Sequence, residues 1–456
     1  MKSNMLSDNR FTRKLVSLIL PITLQNFMFA LVPVSDTIML QFLDQNAMSA
    51  VSLASQVTFV LNLFTIGISY GASMFAAQYW GKGDKASIRK LFGYSVLLSV
   101  FIAAAFFGCA MFLPEGLMRI YTNDPEIIAE GIPYLRFVSL SYLFTTLAIT
   151  YEAILKNIGY VKQCTFASMI MVGLNILLNA FLIFGLAGLP RMGASGAALA
   201  TSISAFVGFA FCLWFSFKSK ILKIGLKDLF SADAEFKKKF SKHSAPYVLN
   251  QILWGTGFTM ISVIIGHMGQ DAVAANAIVA VVKDLVSCFC FALGSGGSIV
   301  IGNELGAGNI ERGKKYGDWI FKLTIITGII LGLFAAALTP LVLWIVDLTP
   351  AAEEYLMYML LMCSYYILGR SINAVLIGGV FPAGGDTKFG FICDSVTMWA
   401  FIVPVGALAA FVFNLPVMAV YFILNLDEIV KLPVVFIHYR KYGWAKNIVN
   451  DTPEDL

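Results

Sequence analysis

Gln78-Tyr79-Trp80-Gly81-Lys82-Gly83-Asp84 closes the second long apolar run of this chain, and 225 residues later Asn303-Glu304-Leu305-Gly306-Ala307-Gly308-Asn309 closes the eighth. The same shift aligns the chain without a gap from Pro21 to Lys90. Pro21 meets Pro246, Leu24 meets Leu249, Gln45 meets Gln270, and Ala47 and Ala50 meet Ala272 and Ala275. Gly71 and Ser73 meet Gly296 and Ser298, Gly81 and Gly83 meet Gly306 and Gly308, and Lys90 meets Lys315. At a shift of 226, Gly159 and Lys162 meet Gly385 and Lys388. Chance similarity between apolar segments explains matched Leu and Ala but not paired glycines at equivalent loop positions. The chain reads as two copies of one unit.

What the unit is follows from hydropathy. Of 456 residues, 58% are hydrophobic and 13% charged, against about 25% charged in a soluble domain. Apolar runs of about 20 residues recur along the chain. We count twelve, at 14–40, 48–70, 90–113, 131–156, 163–187, 194–217, 244–266, 272–300, 316–346, 353–380, 388–412 and 416–438. The first is too long for a signal peptide and is expected to be retained. Six spans per half is an even number, so both halves start from the same side and the repeat is parallel. The expected fold is an all-α polytopic membrane protein, with twelve transmembrane helices in two six-helix lobes related by a pseudo-two-fold axis. The N-lobe is expected at 1–217, a basic cytoplasmic linker at 218–243, the C-lobe at 244–438 and a cytoplasmic tail at 439–456. Of the 32 Lys and Arg residues, 25 fall in alternate loops and two, Arg119 and Arg191, in the opposite ones. Positive charge marks the cytoplasmic side, so both termini are expected inside, in a cytoplasmic membrane.

The net charge of +5 is thus a topology signal and does not point to nucleic acid. The seven Cys lie in or beside apolar spans without a CxxC pair, as packing thiols do. His243, His267 and His438 are scattered, so neither a zinc site nor a catalytic triad assembles from them. The paired glycine loops lack the Lys-Ser/Thr of a phosphate loop and suit tight turns. The chain is expected to be neither an enzyme nor the carrier of a cofactor.

Asp36 stands out inside the first run, in Phe29-Ala-Leu-Val-Pro-Val-Ser-Asp36-Thr-Ile-Met-Leu40, with no cation near it in sequence. A carboxylate at membrane depth costs on the order of 2.5 kcal/mol or more and marks an ion or proton path. Pro33 frees the Phe29 carbonyl, and a carboxylate beside a broken helix is how transporters build cation sites. The alternative is a permanently protonated Asp bonded to a neighbouring helix. Asn175 and Asn179 share a face one helical turn apart, and Thr201 adds a hydroxyl. These are oxygen donors of the kind a hard cation such as Na⁺ favours. Interhelical hydrogen bonding is the simpler role for the Asn pair, and the two are compatible.

The order and spacing of several short motifs resemble the multidrug and toxic compound extrusion (MATE) transporters, of the bacterial branch. They are Asp36-Thr-Ile-Met, Gln78–Asp84, Asn303–Asn309, Asn175-Ile-Leu-Leu-Asn179, Gly193-Ala-Ser-Gly-Ala-Ala-Leu-Ala-Thr201 and Gly384-Gly-Asp-Thr-Lys388. The resemblance implies export of amphiphilic, often cationic organic compounds against inward flow of Na⁺ or H⁺, by rocking of two lobes. It also implies that Asp36, Asn175, Asn179 and Thr201 form the N-lobe cation site. Small organic substrates and membrane lipids are the expected partners, and the chain is expected to be a monomer.

The C-lobe departs from the family pattern. Where one branch has a Glu in span 7, this chain has Trp254, and where it has an Asp in span 10, this chain has Ser371 beside Arg370. The archaeal branch's second Asp in span 5 is here Asn179. The C-lobe instead carries Lys283, Asp284, Arg370, Asp394, Asp427, Glu428 and Lys431. Asp427 and Lys431, at i,i+4, are expected to form a structural ion pair. Asp284, Arg370 and Asp394 are the candidate cavity charges. The rival function is a flippase for lipid-linked oligosaccharides, whose cavity for a polyprenyl pyrophosphate should be rich in Arg. Only Arg370 fits that description here. A receptor or membrane enzyme would leave the repeat unexplained.

Overall fold

The computed structural model describes residues 9–40, 45–188, 190–218 and 225–450. All regular structure among them is helical. The long helices are α1 (Asn9–Leu40), α2 (Gln45–Lys82), α3 (Lys85–Phe112), α4 (Pro125–Asn157), α5 (Val161–Phe184) and α6 (Gly193–Lys218). They continue as α7 (Ala234–Gly266), α8 (Gln270–Gly306), α9 (Ile310–Ile345), α10 (Pro350–Ala383) and α11 (Thr387–Val412). Among the described residues these eleven are long and apolar enough to cross a membrane. The protein is a multi-span membrane protein.

The twelfth expected span, 416–438, is present as three short helices: α12 (Val417–Leu424), α13 (Asp427–Val430) and α14 (Leu432–Arg440). The interruptions fall at Asn425 and Lys431, just before Pro433, which can open a helix but not continue one. Asn425, buried at the first break, donates to the Tyr421 carbonyl at 2.8 Å and accepts from the Lys283 ammonium. Helices α10 and α11 are locally widened into π turns at Leu376–Val380, Val396–Ile402 and Leu408–Val412. Such turns often mark functional positions.

The chain divides into two compact units: Phe27–Val248, and Leu249 onward together with the chain up to Asn26. In the first, α4 is the central helix, packed against α2, α3 and α6, with α5 against α6. In the second, α10 packs against α8 and α9 in the same manner. The division falls within α1 and α7. Helix α1 runs on through Pro33 to Leu40, and the Thr37 hydroxyl donates to the Pro33 carbonyl at 2.8 Å. The helix break expected at Pro33 therefore does not form.

Residues 219–224 of the expected linker lie outside the described residues. The rest of 218–243 packs on the first unit. Phe240 stacks on Phe75, Phe236 on Tyr79, and Lys90 pairs with Asp233 at 2.9 Å. In the expected tail, whose residues 451–456 also lie outside the described set, Trp444 is fully buried and donates from Nε1 to the Tyr439 carbonyl. Asn447 donates to the carbonyls of Leu305 and Gly306, at the end of α8, at 2.8 and 3.4 Å.

The repeated glycines have a structural reason. Gly83, Gly159, Gly308 and Gly385 have φ of 79°, 97°, 83° and 83°, a region that costs a residue with a Cβ about 1–2 kcal/mol. Each ends its helix the same way. The next amide reaches back five residues, Asp84 to Tyr79, Tyr160 to Leu155, Asn309 to Glu304 and Asp386 to Phe381, at 2.9–3.0 Å. This closure satisfies carbonyls that the helix end leaves open. Asp84 then caps α3, accepting from the Ser87 amide at 3.0 Å and the Ser87 hydroxyl at 2.7 Å.

Candidate functional site

In the unit Phe27–Val248, three helices bring the four expected residues into one hydrogen-bonded chain. Helix α6 holds Thr201, whose hydroxyl donates to the Ala197 carbonyl at 3.0 Å. Its oxygen accepts from Asn175 Nδ2 at 3.2 Å. Asn179 Nδ2 donates to Asn175 Oδ1 at 3.3 Å and to Asp36 Oδ1 at 2.5 Å. Helical spacing puts Asn175 and Asn179 on one face of α5, and both are buried. Asp36 itself is half-buried. Asn179 Oδ1 is buried with no hydrogen-bond partner among the described residues.

A polar layer that sequence reasoning missed lies on α2 and α4. The Thr58 hydroxyl donates to the Tyr142 hydroxyl at 3.2 Å, and Ser55 and Tyr134 hydroxyls are 3.5 Å apart. Tyr134 lies within electrostatic reach of Asp36. A tyrosine among 17 in an aromatic-rich chain carries no signal that singles it out.

The second unit gathers its charges differently from expectation. Lys431 does not pair with Asp427. Its Nζ lies 2.9 Å from Asp394 Oδ1 and 3.1 Å from Glu428 Oε2. An i,i+4 pair needs a continuous helix, but α13 stops at Val430, and the break turns Lys431 toward its i−3 neighbour and α11. Asp394, expected to face a cavity, is held by Lys431 and by Asn250 Nδ2 at 3.0 Å. Its side chain is 12% exposed.

Arg370 is likewise drawn inward and is 7% exposed. Its Nη1 donates to Glu428 Oε1 at 3.4 Å and to the Tyr366 hydroxyl at 3.1 Å. The guanidinium also lies against Trp254, Phe291 and Tyr366, at 5.5, 5.1 and 5.8 Å from their ring centroids. The tryptophan at position 254 thus forms one wall of an aromatic cage for a cation. Of the three candidate cavity charges only Asp284 is exposed. Ser371 donates to the Thr324 carbonyl at 3.1 Å.

A single family profile, MatE, matches the chain twice, over residues 21–181 and 246–408. The two matches begin at positions 21 and 246, the shift of the internal repeat. The probable multidrug resistance protein NorM of Thermotoga maritima is 26% identical over 446 residues, covering 96% of this chain and 94% of its own. The uncharacterized transporter YisQ of Bacillus subtilis is 26% identical over 444 residues, covering 95% of each. Among solved structures, a MATE in complex with MaL6 overlays with a TM-score of 0.87 at 19% identity, covering 95% of this chain and 97% of that one. A MOP superfamily transporter from Pyrococcus furiosus overlays equally, at 0.87 and 19%, with 95% and 96% covered. The overlays show the shared fold. With one profile laid over both halves and most of its length, the chain belongs to the MatE family, whose members are membrane transporters and not enzymes.

Proposed function

We propose that this transporter exports small amphiphilic organic compounds, many of them cationic, in exchange for inward-moving Na⁺ or H⁺. The observation that carries the reading is the chain of hydrogen bonds from Thr201 through Asn175 and Asn179 to Asp36. It places one carboxylate and three neutral oxygen donors on adjoining helices, a donor set suited to a hard cation. The same carboxylate can hold a proton instead, so the two ions compete for Asp36. A rocking exchange between the two lobes suits a parallel repeat with one polar centre in each half.

The names of curated relatives, multidrug resistance proteins NorM and MdtK, support the substrate class. A flippase cavity would offer free Arg to a pyrophosphate, whereas Arg370 is occupied by Glu428 and Tyr366. A monomer in the cytoplasmic membrane, with both termini and the 218–243 segment inside, suits the charge of the loops. Labelling of a cysteine placed in that segment from outside the cell would contradict the orientation. The test of function is efflux from proteoliposomes under Na⁺ and pH gradients imposed separately. Dependence on at least one gradient is expected, and indifference to both would remove the antiport reading.

A further inference from the structure

The interior charges of the second unit do not balance. Lys283, Arg370 and Lys431 face Asp284, Asp394, Asp427 and Glu428. Three of the carboxylates are accounted for. Asp394 takes Lys431 and Asn250. Glu428 takes Lys431 and Arg370, with Asn373 Nδ2 at 2.8 Å. Asp284, on α8, is exposed.

Asp427 has none of this. It is 5% exposed. Among the described residues no donor lies within hydrogen-bond distance of its carboxyl, and no cation lies within ion-pair distance. Glu428, its neighbour in the chain, is held as an anion by two cations. Facing Asp427 are Lys431 and Glu428 from its own segment, Lys283 from α8, Arg370, Tyr365 and Tyr366 from α10. Beside these groups lie Asp284 on α8, Cys363 on α10, Asp394 on α11 and Tyr421 on α12. A carboxylate held 5% exposed without a donor or a cation beside it is costly, and neutralisation by a proton lowers that cost. With three carboxylates ionised against three cations, a proton on Asp427 leaves the cluster neutral.

We propose that Asp427 carries a proton at neutral pH and is a second proton-binding site of this transporter, separate from Asp36. Lys283 supplies the means of emptying it. Its ammonium donates to Asn425 Oδ1 and lies 4.0 Å and 5.3 Å from the ring centroids of Tyr366 and Tyr421. It makes no ion pair among the described residues. When the O–H bond of Asp427 breaks and the proton passes to water, Lys283 can leave its aromatic seat and become the counter-ion of the new carboxylate. The site thus has two discrete arrangements, protonated acid with caged lysine and carboxylate–lysine pair. The protonation stands on the geometry of this unit alone, while its part in transport rests on the antiport reading above.

Infrared spectroscopy of the reconstituted full-length transporter at pH 7 tests it. The carbonyl band of a protonated carboxyl should be present in Asp36→Asn protein and be lost when Asp427→Asn is added. If that band is absent from the Asp36→Asn protein, or survives Asp427→Asn, the proposal is overturned. Should Asp427→Asn fail to fold, Asp427→Glu keeps the acid and should shift the frequency of the band. An unshifted band would overturn the proposal equally. A transporter indifferent to both ion gradients but retaining the band would refute antiport and leave this site standing. Gradient-driven transport without the band would do the reverse.

Discussion

Replacing Lys431 by Met isolates what the ion cluster of the second unit does. Lys431 is 6% exposed and serves two carboxylates, at 2.9 and 3.1 Å. Its loss leaves Asp394 with Asn250 as the remaining donor, and Glu428 with Arg370 at 3.4 Å and Asn373 at 2.8 Å. Removing one partner of a buried pair costs about 3–5 kcal/mol, because an uncompensated buried charge remains. Arg370 and the two amides soften the loss, so the lower end, about 3 kcal/mol, is expected, a factor of about 150 in the folding equilibrium. Equilibrium unfolding of the purified protein in mixed micelles reads this directly. The double variant Lys431→Met with Asp394→Asn removes the stranded charge and should recover about half of the loss. Asp427→Asn, which breaks no bond, should cost less than about 1 kcal/mol. A cost below about 1 kcal/mol for Lys431→Met, or no recovery in the double variant, would refute the ion-cluster assignment.

Three further outcomes are expected. Asn175→Ala or Asn179→Ala should weaken Na⁺ binding, followed by calorimetry, more than proton-driven efflux. Equal loss of both activities would mean that these side chains only hold the lobe together. Burial pushes the Asp84 carboxyl up, but hydrogen bonds from Ser87 and the nearby Lys82 outweigh it and hold the group below its ordinary value. The cap therefore stabilises fully above the ordinary carboxylate range and is lost as pH falls through the lower folded value. Asp84→Ala should cost about 0.5–2 kcal/mol near neutral pH and flatten the acid limb of the melting profile. Gly308→Ala and Gly385→Ala should each cost about 1–2 kcal/mol in the same unfolding assay, whereas Gly108→Ala, with no atom near its added Cβ, should be neutral or mildly stabilising.

The repeat was legible because a positive φ leaves a mark in the sequence. Gly83, Gly159, Gly308 and Gly385 each end a helix in a conformation that a side chain strains. The first-unit site was legible for a related reason: Asp36, Asn175 and Asn179 are costly in an apolar span and are conspicuous there. Their meeting spans 143 residues from Asn179 to Asp36, a separation that periodicity cannot supply and the family resemblance did. The partner of Lys431 was not legible. Whether it turns to Asp427 or to Glu428 depends on where α13 stops, which the burial of Asn425 and the position of Pro433 decide together. Nor could the cage around Arg370 be foreseen, because Trp254, Phe291 and Tyr366 are three among many aromatics. The docking of Trp444 was hidden too: a short apolar cluster among basic residues reads as a solvated tail until Gly317 and Gly384 make room for it.

Efflux from proteoliposomes under a Na⁺ gradient and under a pH gradient, compared between the wild type and Asp36→Asn, tests the central claim most directly. Asn keeps the volume and part of the hydrogen bonding to Asn179 but removes the charge a cation needs. Gradient-driven efflux should disappear in the variant, while yield, monodispersity and melting temperature stay close to wild type. Full gradient-driven efflux by a folded Asp36→Asn protein would eliminate Asp36 as the coupling residue and contradict the account.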